Sequence, residues 1–147
     1  MNLTIASDHG GIELRQALID HITTSHSEIR VTDLGTHVSE SVDYSNMADQ
    51  LVDKLNKKEA DLGVLCCGTG IGMSIRANRY PGIRAALVYD EFTAKMAKAH
   101  NNANVLCLGG RTLDIDTAKK LISIWLKTPF EGGRHQKRVD QLDAPFV

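Results

Sequence analysis

Residues 63–72 read GVLCCGTGIG: adjacent thiols, Cys66 and Cys67, run into Gly68, Gly70 and Gly72 at every second position. Glycines so spaced let backbone N–H groups close on an anion, and a helix starting just beyond them adds the positive end of its dipole. The dinucleotide fingerprint G-x-G-x-x-G/A is not met, because Met73 stands where its last small residue belongs, and no G-x-x-x-x-G-K-[ST] occurs. Asp90 lies at roughly the distance of a ribose-binding acid, which keeps a nucleotide reading open. The better reading is a shorter hole for one negative oxygen, since a plain strand-to-helix turn needs fewer than three glycines. Cys67 sits at its mouth. There the dipole favours thiolate, although a cysteine can equally be a small buried hydrophobe. Cys66 points to the other face of an extended strand and belongs to the core, as does Cys107.

Other reactive side chains gather at element ends. Asp8 and His9 follow the first apolar run, and Gly109-Gly110-Arg111 follow the last. His100 ends a helical pattern in register with Phe92 and Met96, where a histidine can simply cap the last carbonyls. The polar run HNNANV that it opens is expected to emerge near the same rim. Arg134 and Arg138 lie four apart on one helical face, with His135 and Lys137 between. That face is either solvated or a phosphate clamp, a task that guanidinium forks suit. His21, His26 and His37 read as surface or loop residues, and the histidines lack metal-ligand spacing.

Strands must position these groups. Apolar runs at 3–7, 29–35, 61–67, 83–89 and 103–110 read as strands, the third buried on both faces because it does not alternate. Helical spacing fills the intervals: Leu14, Ala17, Leu18 and Ile22; Tyr44, Met47, Ala48, Leu51 and Leu55 behind an Asp43 N-cap; about 73–79; 90–99; then Ala118, Leu121, Ile122 and Trp125. The pattern predicts a single Rossmann-like α/β domain, residues 1–147, with a five-stranded parallel sheet covered on both faces. Residues 129–147 form a tail that breaks at Gly132-Gly133 and resumes as a short basic helix. Ligands of such sheets bind beyond the carboxyl ends of the strands, so Asp8-His9, Cys67 with its glycines, and Arg111 should share one rim.

A chain of 147 residues with 42% apolar and 24% charged content can bury a full core, and its net charge of −1 argues against nucleic-acid and membrane-surface binding. No apolar run approaches the roughly 20 residues of a membrane span and no signal-peptide pattern opens the chain, which makes cytoplasm the expectation. Three unpaired cysteines fit a reducing compartment.

Taken together, SDHGG, CGTGIG, HNNANVL and EGGRHQKRV resemble the type B ribose-5-phosphate isomerases, in order and over nearly the whole chain. The related subunits of galactose-6-phosphate isomerase share the fold and the CGTG loop but lack the histidine at position 100, which sets this sequence on the pentose side. The resemblance implies an aldose–ketose isomerase acting on ribose 5-phosphate, with Cys67 as the base between C1 and C2 and His100 opening the furanose ring. It places Thr69 and Asp8 near the ring oxygen and hydroxyls. It puts the backbone of Gly68, Thr69, Gly70, Ile71 and Gly72, with Asn101, on the enediolate. His9, Arg111, Arg134 and Arg138 would hold the phosphate, and Tyr44 matches a family tyrosine near the site. Some members use a glutamate after the last loop glycine; here Met73 stands there, leaving Cys67 as the base. No cofactor is implied, and no metal if backbone donors stabilise the enediolate. The family also implies homodimers, or dimers of dimers, whose sites are shared, so that the arginine face of one chain reaches the Cys67 loop of the other. The alternatives are an isomerase for a six-carbon aldose 6-phosphate, such as allose or galactose 6-phosphate, and a non-catalytic nucleotide-binding module.

Overall fold

The structure, a computed structural model, describes residues 1–146; Val147, the end of the tail, lies outside them. Five parallel strands stand in the order β2-β1-β3-β5-β4, with β1 at Asn2–Ser7, β2 at Arg30–Asp33, β3 at Leu62–Cys67, β4 at Ala85–Leu87 and β5 at Val105–Gly109. Helices α1 (Ile12–Ser25), α4 (Glu91–Ala99) and α5 (Ile115–Lys127) cover one face; α2 (Tyr44–Asn56) and α3 (Ile71–Ala77) cover the other. Helix α6 (Arg134–Asp143) follows α5. The Rossmann-like α/β expectation is met. No helix among the described residues is long and apolar enough to cross a membrane.

The period of two along each strand divides the core. Leu62, Val64 and Cys66 of β3 pack under α1 and α5, whereas Leu65 and Cys67 pack under α2 and α3. Leu3, Ile5, Leu106 and Leu108 join the first cluster and Val105 and Cys107 the second. Each fully buried aliphatic side chain contributes roughly 1.5–3 kcal/mol of transfer free energy.

Several boundaries differ from the sequence expectation. β4 keeps only three of the seven residues expected, because it is an edge strand and each of its residues is only half-buried. α3 begins two residues early, at Ile71, because Gly70 takes φ +79° and turns the chain directly into the helix. Asp43 occupies the N-cap position of α2 without a side-chain hydrogen bond. Asp90 caps α4 by accepting from the Thr93 N–H at 2.7 Å and from its hydroxyl at 2.8 Å, which commits the carboxylate that a nucleotide ribose would need.

Candidate active site

The strand order changes direction between β1 and β3: one leads out to β2, the other toward β5 and β4. Their following turns leave to opposite faces, and a crevice opens at the carboxyl edge between them. Backbone bonds stitch this edge together. The Asp8 N–H donates to the Cys66 carbonyl at 3.2 Å, Gly110 N–H to Cys67 at 2.8 Å, and Arg111 N–H to Gly68 at 2.9 Å. At Gly11 an added Cβ would lie 2.4 Å from the Cys66 carbonyl oxygen, so only glycine lets the two turns meet. The edge therefore gathers Asp8, His9, Cys67, the loop from Gly68 to Gly72, and Arg111, as expected.

Within it, Cys67 is 5% exposed and its Sγ accepts from the Gly70 N–H at 3.1 Å. Cys66 is fully buried on the other face, and burial, then the neighbouring Cys67, push its thiol far up. Thr69 is exposed and its Oγ1 accepts from the Ile71 N–H at 3.3 Å. The Tyr44 ring covers Gly72, 2.7 Å from where a Cβ would stand. His9 is exposed, and its Nδ1 accepts from the Val42 N–H at 3.3 Å. The Arg111 side chain runs across Gly68. Met73 is fully buried in the α3 core.

The remaining candidates lie elsewhere, which corrects the expectation that HNNANV reaches the rim. A residue before a parallel strand stands at its amino end. Cys67 pairs with Gly109, and His100 and Asn101 precede Val105, which pairs with Gly63. Those four strand steps alone are about 13 Å. One chain cannot bring His100 or Asn101 to its own Cys67. Helix α6 lies on this amino edge too, held by buried His135 and Val139 and by Arg84, whose guanidinium donates to both Asp143 oxygens at 2.9 and 2.7 Å. Arg134 and Arg138 point outward from it. Whereas Arg15, Arg76 and Arg84 are held in ion pairs, Arg111, Arg134 and Arg138 make none among the described residues.

Three features escaped sequence reasoning. Arg15 is completely buried behind β1, ion-paired to Asp33 at 3.0 Å and donating to the Ser7 hydroxyl and the Thr36 carbonyl, so it braces the end of the strand that presents Asp8. A charged residue on the apolar face of α1 was its only signal. His26 is 3% exposed, not a surface residue; it and His21 share the Ser123 hydroxyl, at 2.9 and 2.7 Å. Third, possible ligand atoms of His100, Glu131 and His135 come within 4.8 Å of one another, although only the i, i+4 spacing of Glu131 and His135 is local.

A sequence profile of the ribose/galactose isomerase family matches residues 3–142. Ribose-5-phosphate isomerase B of Escherichia coli K12 is 37% identical over 142 residues, spanning 97% of this chain and 94% of that protein. Among solved structures, a ribose 5-phosphate isomerase from Thermotoga maritima superposes with a TM-score of 0.91 at 45% identity, covering 97% of each chain. Ribose-5-phosphate isomerase B of Mycoplasma genitalium, solved with bound ribulose 5-phosphate, gives 0.91 at 42% identity, covering 97% of this chain and 93% of that one.

Proposed function

This chain belongs to the ribose/galactose isomerase family, and we propose on that premise that it interconverts ribose 5-phosphate and ribulose 5-phosphate in sites completed by a second copy of itself. The observation that carries the reading is the Cys67 thiol, presented at the carboxyl edge by the glycine loop and held by the Gly70 N–H. The proton on C2 of an open-chain aldose is weakly acidic, and its removal is feasible only where the developing oxyanion is stabilised in place. Cys67 removes it and returns it to C1, while the O2 proton passes to O1 and C2 becomes the carbonyl. The Gly68–Gly72 backbone and Asn101 carry the enediolate charge.

Ring opening comes first. His100 gives a proton to the ring oxygen as the C1–O4 bond breaks, the O1 hydroxyl loses its proton to water, and C1 becomes a carbonyl. Thr69 and Asp8 orient the hydroxyls. His9 and Arg111 hold the phosphate from one chain, and Arg134 and Arg138 from the other. The opposed edges support this division, because a twofold axis can set the amino edge of one chain over the carboxyl edge of its partner. Large apolar side chains support an interface nearby: Ile71, Ile75, Tyr89 and Phe92 are 50%, 63%, 63% and 70% exposed around the ends of β3 and β4. Free, buried thiols suit the reducing cytoplasm.

The direct test compares kcat/KM over aldose phosphates of five and six carbons. Ribose 5-phosphate is expected to be turned over fastest. Faster turnover of allose or galactose 6-phosphate would overturn the substrate assignment, and turnover of neither would overturn the enzyme reading.

A further inference from the structure

His100, Glu131 and His135 form a cluster of which the reaction above uses one member. The buried His135 ring lies flat against the His100 ring, with centroids 4.0 Å apart and planes within 14°. Glu131 Oε2 is 3.6 Å from His100 Nε2 and 3.4 Å from His135 Nε2, the range of a charge pair. The backbone fixes Glu131 there independently, since its N–H donates to the Ala99 carbonyl at 3.0 Å. The parallel planes decide what the group can share. An imidazole lone pair lies in the plane of its ring, so two parallel rings aim theirs side by side instead of at one metal ion. Sharing charge and protons needs no such convergence.

We propose that Glu131 is the positioning residue for His100: its carboxylate draws the Nε2–H side of the ring inward, leaves Nδ1 to face the sugar, and serves as counter-ion while His100 carries the proton it donates. This rests on the ring-opening role given to His100. His135 is a flat support for the ring. Its own imidazole is held below the usual histidine range by burial first, then by the charges of His100 and Arg134. Arg134 and Arg138 of α6 both oppose charge on His135, and Glu131 favours it.

The test follows His100 in the 147-residue protein by nitrogen NMR of labelled histidine, alongside kinetics of Glu131→Gln, Glu131→Ala and His100→Asn. Glu131→Gln keeps an oxygen acceptor but loses the charge. It is expected to lower the His100 titration midpoint by about half a pH unit and to slow ribose 5-phosphate turnover about tenfold. The loss should be smaller on a four-carbon aldose phosphate, which has no free hydroxyl to close a five-membered ring. Glu131→Ala should in addition mix the two neutral tautomers of His100. An unmoved midpoint together with an unmoved tautomer overturns the proposal even if activity falls, because a merely structural role would lower activity without touching the proton. The underlying reading fails separately: if His100→Asn is equally slow on both sugars, His100 does not open the ring, and the NMR result alone then decides whether Glu131 governs it.

Discussion

One step along β3 separates a thiol sealed under α1 from a thiol that meets the glycine loop. Strand geometry makes the difference, since successive side chains leave opposite faces of the sheet. Cys66 has no access to solvent, and ionising it in an apolar core is costly. Cys67 ends the strand at the crevice, where its Sγ accepts from the Gly70 N–H. Cys67→Ala is therefore expected to slow isomerisation at least about a hundredfold, the scale of a lost general base. Cys66→Ala should keep most of the activity. Steady-state rates on ribose 5-phosphate check both, and an inactive Cys66→Ala beside an active Cys67→Ala would reverse the assignment. The same step was legible in the sequence, because an unbroken apolar run ending in glycines can only be a buried strand entering a turn. The pairing of His100 with Glu131 and His135 was not, since a loop closing onto α4 brings it about.

At the scale of elements, four of the five strands and their helices were readable from periodicity, and β4 was overdrawn because edge exposure leaves no trace in an apolar run. The direction of the chain was the harder part. HNNANV adjoins a strand, and only its position before β5, not after it, sends His100 to the far edge. The contact between α1 and α5 was hidden too, because both helices read as ordinary amphipathic helices. There His21 and His26 meet Ser123, whose hydroxyl has one proton to give. Burial, then the neighbouring His26 and Lys119, hold His21 below the usual histidine range. The unfolded chain therefore takes up its proton first as pH falls. The stability this contact contributes is present above the unfolded histidine pKa and is lost as pH falls through it toward the lower folded value. The urea midpoint should fall between pH 7.5 and pH 5.5, and His21→Gln should make that fall shallower by a fraction of one proton's worth. An unchanged slope would mean that the contact does not sense pH.

For the whole molecule, the two edges lie at opposite ends of every strand, and each carries part of the set of groups proposed for the reaction. On the shared-site reading, a mixture of Cys67→Ala chains and Arg134→Ala/Arg138→Ala chains, each inactive alone, regains activity when subunits exchange. Half of the dimers at random exchange are mixed, and each mixed dimer holds one intact site of two, so recovery of about a quarter of wild-type activity is expected. No recovery, with exchange verified by mass, would mean that each site is built from one chain. Shared sites of this kind would also erase an old distinction of genetics. In most genes, two lesions on one copy leave the other copy to supply the function, and lesions on separate copies abolish it. On the shared-site reading, separate copies complement each other within a mixed dimer. On the same reading, a copy bearing both lesions spoils both sites of every dimer it forms with a normal chain and leaves about a quarter of normal activity, no more than lesions on separate copies leave.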